Sequence, residues 1–255
     1  MSSVYANGPF QLLTTPTYQL SEGEKPNEFV NAATHMALVH NLIIRSLNAM
    51  YLQAPHISAE QEKPFLQFAE LWYRVVEHHH RTEEEILFPM LEEMSGDEDV
   101  MKENTKQHDA FQTGLALFAS YVRQCLAHEK KFNGEEMVRA FHRFAPILWQ
   151  HLSDEIPTLI GLERYGARTS GFYAKFAAEV EKTQRELGVL AGAVFVIATH
   201  DVEFEGGIHK DFPPIPSAVT WGLRNVAWWA HTDWWQFAPC DRQGKMRPLM
   251  IVAAS

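Results

Sequence analysis

From Asn27 to about Tyr165, apolar residues recur at helical spacing in four long segments. The first predicted helix lies near Asn27 to Gln53, with a stripe of Ala33, Met36, Ala37, Ile43, Ile44, Leu47 and Met50. The second starts near Gln61, tolerates Pro64 in its first turn, and carries Phe65, Phe68, Trp72, Val76, Ile86 and Met90. The third opens after the Ser95-Gly96-Asp97 break and shows Met101, Phe111, Leu115, Phe118 and Val122; the fourth follows the Asn133-Gly134 turn and shows Val138, Phe141, Ala145, Leu148, Leu159 and Leu162. Short connections between long helices make neighbours antiparallel, so the pattern predicts an all-α, up-down four-helix bundle over residues 27–165. Past Gly166 the character changes. Ser170 to Leu187 is a candidate fifth helix, Gly206-Gly207, Pro213-Pro214 and Pro216 mark an irregular stretch, and tryptophans gather at 221, 228, 229, 234 and 235. Residues 166–255 are therefore expected to form a partly irregular, aromatic-rich C-terminal extension packed on the bundle.

Each of the four stripes is interrupted on its apolar side by metal-ligand residue types. His40 continues Met36 and precedes Ile43; His79 and Glu83 stand between Val76 and Ile86; His108 lies between Met101 and Phe111; His151 and Glu155 lie between Leu148 and Leu159. Burying ionisable groups in this way is costly unless they pair or bind a metal. Taken as four antiparallel helices, the interruptions match in depth to within about a turn at about 1.5 Å rise per residue. Residues at i and i+4 share one face, so His79 with Glu83, and His151 with Glu155, can each offer a nitrogen and a nearby carboxylate. A carboxylate can bridge two cations. Four imidazoles and two carboxylates suit a pair of iron ions, or less specifically manganese or zinc, and argue against iron–sulfur and copper(I) sites.

The stretches that carry these residues are His40-Asn41-Leu42-Ile43-Ile44-Arg45, the run from His78 to Pro89 (HHHRTEEEILFP), Gln107-His108-Asp109-Ala110-Phe111, and His151-Leu152-Ser153-Asp154-Glu155-Ile156. In combination they resemble the hemerythrin-like (HHE cation-binding) family, in which a four-helix bundle holds a non-haem di-iron centre. The resemblance implies that His40, His79, Glu83, His108, His151 and Glu155 are iron ligands, with Glu83 and Glu155 as bridges. It also implies a cofactor of two iron ions, Fe2+ or Fe3+, with an oxo or hydroxo bridge as one form. There is one departure: oxygen-carrying hemerythrins use two histidines one turn apart on the third helix, whereas Gln112 and Asn104 flank His108 here. Either His80 fills the gap from the edge of the second helix, or an open position takes water or substrate.

Composition narrows the function. The 255 residues, 46% hydrophobic, read as an ordinary soluble globular protein that needs no disulfide or metal to fold. Cys125 and Cys240 are too few and too far apart for a disulfide framework or a thiolate metal site. A formal charge of -10 excludes nucleic acid as an expected partner. No stretch approaches the roughly 18 apolar residues of a membrane span, and no signal peptide shows, so the expected location is cytoplasmic. The acidic run Glu92 to Asp99 reads as a solvated turn, His78 as outward-pointing, and Glu84 and Glu85 as solvated charges. His35, His56, His128 and His142 read as surface residues, His200-Asp201, His209 and His231 as no acid–base pair, and the tryptophans as packing of the extension before any pocket. No phosphate loop, Ser-His-Asp order or dinucleotide glycine motif is visible. The expected function is a di-iron protein that reacts with dioxygen, as an oxygenase or oxidase on a small organic molecule. The alternative is a carrier, store or sensor of oxygen, nitric oxide or iron, and a purely structural metal is the third reading. The sequence sets no substrate and no oligomeric state.

Overall fold

A computed structural model describes residues 3–183 and 189–250. Its helices, in chain order, are α1 (Glu28–Gln53), α2 (Glu62–Thr82), a π turn (Glu83–Leu87), α3 (Phe88–Ser95), α4 (Lys102–Leu126), α5 (Gly134–Phe141) and α6 (Ala145–Gly161), followed by α7 (Phe172–Thr183), α8 (Val189–Thr199), α9 (Ser217–Asn225) and α10 (Thr232–Trp235). Among the described residues there is no strand, only an isolated bridge between Cys240 and Met246. No helix there is long and apolar enough to cross a membrane. Helix α1 packs on α2 and α6, and α4 packs on the same two, which closes the four-helix ring.

Local chemistry explains where these helices begin. Asn27 caps α1, its side chain accepting from the Val30 amide, and Asn133 caps α5 in the same way through the Glu136 amide. Between α5 and α6 the periodicity misleads: the predicted fourth helix is two helices, broken at His142–Phe144. Pro146 explains the break, because it sits in the first turn of α6 where its missing N–H costs nothing. The short α5 crosses the bundle end against the turn at Ala54–His56. That approach demands glycine, since a Cβ at Gly134 would run into the Ala54 carbonyl.

The second predicted helix is also interrupted. At Glu83–Leu87 it widens to a π turn, closed by the Phe88 amide donating to the Glu83 carbonyl. Pro89 follows at once; in a continuous α-helix its ring would collide with the carbonyl four residues back, and the wider turn relieves that clash. Gly96, left-handed at φ 68°, then ends α3.

Two large apolar clusters make up most of the core, beside a small third one of Ala6, Ala49 and Leu249. One holds Ile43, Phe68, Trp72, Phe118, Phe141, Phe144 and Leu152; the other holds Phe29, Met36, Leu87, Phe88, Met101 and Leu159. Along every bundle helix the ligand-type residues fall at the boundary between the two, so the site is a polar layer with apolar packing on both sides. Both clusters continue into the C-terminal segment. Phe195, Trp228, Trp235 and Phe237 join the first, and Phe172 of α7 joins the second. Of the candidate fifth helix, residues 172–183 form α7, while 184–187 lie outside the described residues. Trp228 and Trp235 are buried, and Trp221 and Trp229 are exposed.

Candidate metal centre

All seven candidate side chains converge in that layer, in two sets. His80, Glu83, His108 and His151 form one; His40, His79, Glu83 and Glu155 form the other, with the donor atoms of each set within 4.8 Å of one another. Glu83 belongs to both. Its Oε1 lies 3.0 Å from His79 Nε2, and its Oε2 lies 3.5 Å from His108 Nε2, one oxygen turned to each set. Glu155 joins one set, with Oε2 3.2 Å from His40 Nε2.

Four of the five histidine tautomers are fixed from outside. His40 donates from Nδ1 to the Leu152 carbonyl at 2.8 Å, and His80 from Nδ1 to the Val76 carbonyl at 2.8 Å. His108 donates from Nδ1 to Glu84 Oε1 at 2.7 Å, and His151 from Nδ1 to Gln107 Oε1 at 3.3 Å. A neutral imidazole whose Nδ1 carries the proton has a bare lone pair on Nε2. Yet His108 Nε2 and His151 Nε2 stand 3.0 Å apart. Converging lone pairs repel unless a cation lies between them.

The carboxylates give the same answer. Both oxygens of Glu83, both of Glu155 and Nε2 of His80 are buried with no hydrogen bond. Five such atoms in one layer would cost several kcal/mol in total at about 1–3 kcal/mol each, unless a ligand satisfies them. The donor set therefore fits a cation. Burial holds the His79, His80 and His151 imidazoles well below the usual histidine range, with neighbouring imidazoles adding to the effect, and burial likewise lowers His108. Neutral imidazoles are what a metal needs. Glu83 is pushed well above the usual carboxylate range, first by burial and then by Glu155 and Glu84. A cation would reverse that push.

Several sequence expectations change here. Glu84, read as a solvated charge, is 41% exposed but spends its carboxylate on His108. Its position one turn after His80 was the available signal. Gln107 also went unassigned; it orients His151 and is itself held by Asp154, to whose Oδ2 its Nε2 donates at 2.8 Å. His78 does not point outward. It is 9% exposed, tucked along α2 with Arg81 Nη2 donating towards its Nδ1 at 3.4 Å. His35, read as a surface residue, is half-buried: it packs against the Tyr173 and Phe212 rings, and burial lowers its pKa to about 4. Glu85, His56, His128 and His142 are exposed as read. His200 donates from Nε2 to the His209 carbonyl, and His209 lies 3.0 Å from Glu205, so neither pairs with Asp201.

The model of the hemerythrin HHE cation-binding domain matches residues 31–161. The "dimeric xanthone biosynthesis cluster protein R11" of Cryptosporiopsis sp. (strain 8999) is 32% identical over 255 residues, covering 96% of this chain and 92% of the relative. No solved structure matches.

Proposed function

Because the chain belongs to the hemerythrin HHE cation-binding family, we propose that it is a non-haem di-iron oxidoreductase that uses dioxygen on a small organic substrate. The observation that carries this reading is the buried layer of hydrogen-bond-free carboxylate oxygens and His80 Nε2, beside the converging Nε2 atoms of His108 and His151. His80, Glu83, His108 and His151 would hold one iron and His40, His79, Glu83 and Glu155 the other, with Glu83 common to both. Nitrogen and oxygen donors without thiolate favour iron over softer metals. Bound iron would supply dioxygen binding and electrons.

The chain's own groups do the rest. The Leu152 and Val76 carbonyls, Glu84 and Gln107 hold the His40, His80, His108 and His151 imidazoles in one tautomer and orientation. Phe88, whose ring centroid lies 5.3 Å from that of His108, packs against the layer from the second apolar cluster. Glu83 sets the spacing of the two sets through its two oxygens. The relative's place in a biosynthesis cluster favours turnover of a small molecule over carriage of oxygen.

Elemental analysis of freshly purified protein should find iron at a ratio matching the two ligand sets. The anaerobic ferrous protein, given labelled dioxygen and a panel of small aromatic substrates, should consume oxygen irreversibly and release an oxidised product detected by mass spectrometry. Quantitative release of dioxygen on purging, with no substrate altering its uptake, would replace the enzyme by a carrier. Manganese or zinc in the purified protein would displace iron from the reading.

A further inference from the structure

A cleft of about 510 Å³ opens between α2 and α4 directly above one ligand set. Its floor is His80, His108, Phe111 and Leu115, its wall is Tyr73, and its outer edge on α4 is Gln112 and Ala116. The metal-ligand types His80 and His108 are 6% and 2% exposed, so what little of them reaches the surface reaches it here. The cause lies in the ligand arrangement. One turn beyond His108, α4 carries an exposed Gln112 and sends no side chain into the layer; the nitrogen comes from α2 instead, through His80. With the donor moved to α2, this stretch of α4 is left as the open edge of a groove.

Resting on the di-iron reading above, we infer that this cleft is the substrate site and that it takes a neutral, planar aromatic molecule bearing hydroxyl or carbonyl groups. The floor is apolar and aromatic: the Phe111 ring stands 4.9 Å from that of His80 and 5.6 Å from that of His108. Tyr73 is steadied by the Arg123 guanidinium, 4.9 Å from its ring. The charged side chains around the cleft mouth include more acids than bases. Among its lining side chains Glu77 and Glu84 stand beside a single permanent base, Arg81, which lies 3.7 Å from Glu77, and Glu84 is a carboxylate bound to His108. The Tyr73 hydroxyl, the Gln112 amide and the Thr113 hydroxyl offer hydrogen bonds to ring substituents. The volume falls within the usual range for small-molecule sites and accommodates about two or three fused rings.

The test uses 1-naphthol as the probe and nuclear magnetic resonance as the readout. Saturation transfer from the metal-free full-length protein to naphthol reports the cleft by itself. Paramagnetic relaxation of the naphthol ring protons by the anaerobic ferrous protein, against the zinc-loaded protein, reports closeness to the metal. The parent should show both effects. Ala116→Trp, at an exposed position that touches no ligand, should fill the groove and weaken both by about tenfold or more. Thr220→Trp, in the separate cavity of the C-terminal segment, should leave both unchanged. No saturation transfer in the parent, or equal signals in parent and Ala116→Trp, overturns the cleft assignment whatever the metal content. Saturation transfer that Ala116→Trp abolishes, in a protein that takes up no iron, would keep the cleft and remove the di-iron reading.

Discussion

Replacing Glu83 by leucine should stabilise the metal-free protein and destabilise the metal-loaded one. Glu83 is 1% exposed, both of its oxygens lack a hydrogen bond, and burial together with Glu155 and Glu84 raises its pKa. An unsatisfied buried polar group costs roughly 1–3 kcal/mol, and leucine fills most of the same space without it. Taking about 2 kcal/mol, and about 2–4 °C per kcal/mol for a chain of this size, the variant should melt about 4–8 °C higher than the parent in chelator. With metal the order reverses. A ligand at a thousandfold excess over its Kd stabilises by about 4 kcal/mol, and Glu83→Leu removes a donor from both sets, so it should gain almost none of this. Glu155→Leu removes a donor from one set only and should keep one metal. Calorimetric melting with chelator and with ferrous ion, beside elemental analysis, measures all of this. The reasoning fails if Glu83→Leu melts below the parent in chelator, or if it retains both metals.

Three further outcomes are expected. Glu84→Ala removes the acceptor for His108 Nδ1 at a partly exposed position; it should barely move the metal-free melting temperature but weaken one metal site by about 10–100-fold in titration. His35 and His200 are held at about 4 by burial, so both stay neutral in the fold where the unfolded chain takes up protons below 6.5. The unfolded state thus binds more protons between pH 6.5 and 4, and stability falls as pH drops through that window, by about 2 kcal/mol per histidine at pH 5. His35→Leu should reduce the loss seen on going from pH 7 to pH 5 in denaturant titrations, and an unchanged loss would count against the buried neutral form. Gly134→Ala drives a methyl group into the Ala54 carbonyl and should cost about 1–3 kcal/mol, read as a lower denaturation midpoint with unaltered metal content.

The bundle and six of its seven inward donors were legible because two periodicities coincide. Apolar residues repeat at 3.6, and the donors interrupt them at i and i+4 on the same face. His80 was legible only as an alternative, since adjacency to His79 places it near the seam without saying which neighbour it meets; His108 and His151, from two other helices, decide that. The roles of Glu84 and Gln107 depend on which helix lies opposite, and no local pattern encodes that. The break at His142–Phe144 was hidden because Phe141, Phe144 and Ala145 keep the apolar rhythm across it, although Pro146 marked it. The same holds for the π turn, whose sole mark in the sequence is Pro89.

That turn ties the centre to the number of residues in the chain. Each residue of an α-helix advances the facing direction by about 100°, so one supernumerary residue between Glu83 and Leu87 changes which side of α3 faces inward. Upstream the helix presents His79, His80 and Glu83 to the polar layer, and downstream it presents Phe88 and Leu91 to the second apolar cluster. Exchanging exposed side chains such as Glu85 within the turn leaves this phase intact. Deleting one residue there would regularise the helix and misaim one half or the other, so the turn constrains the length of the chain as well as the identity of Glu83 and Glu84.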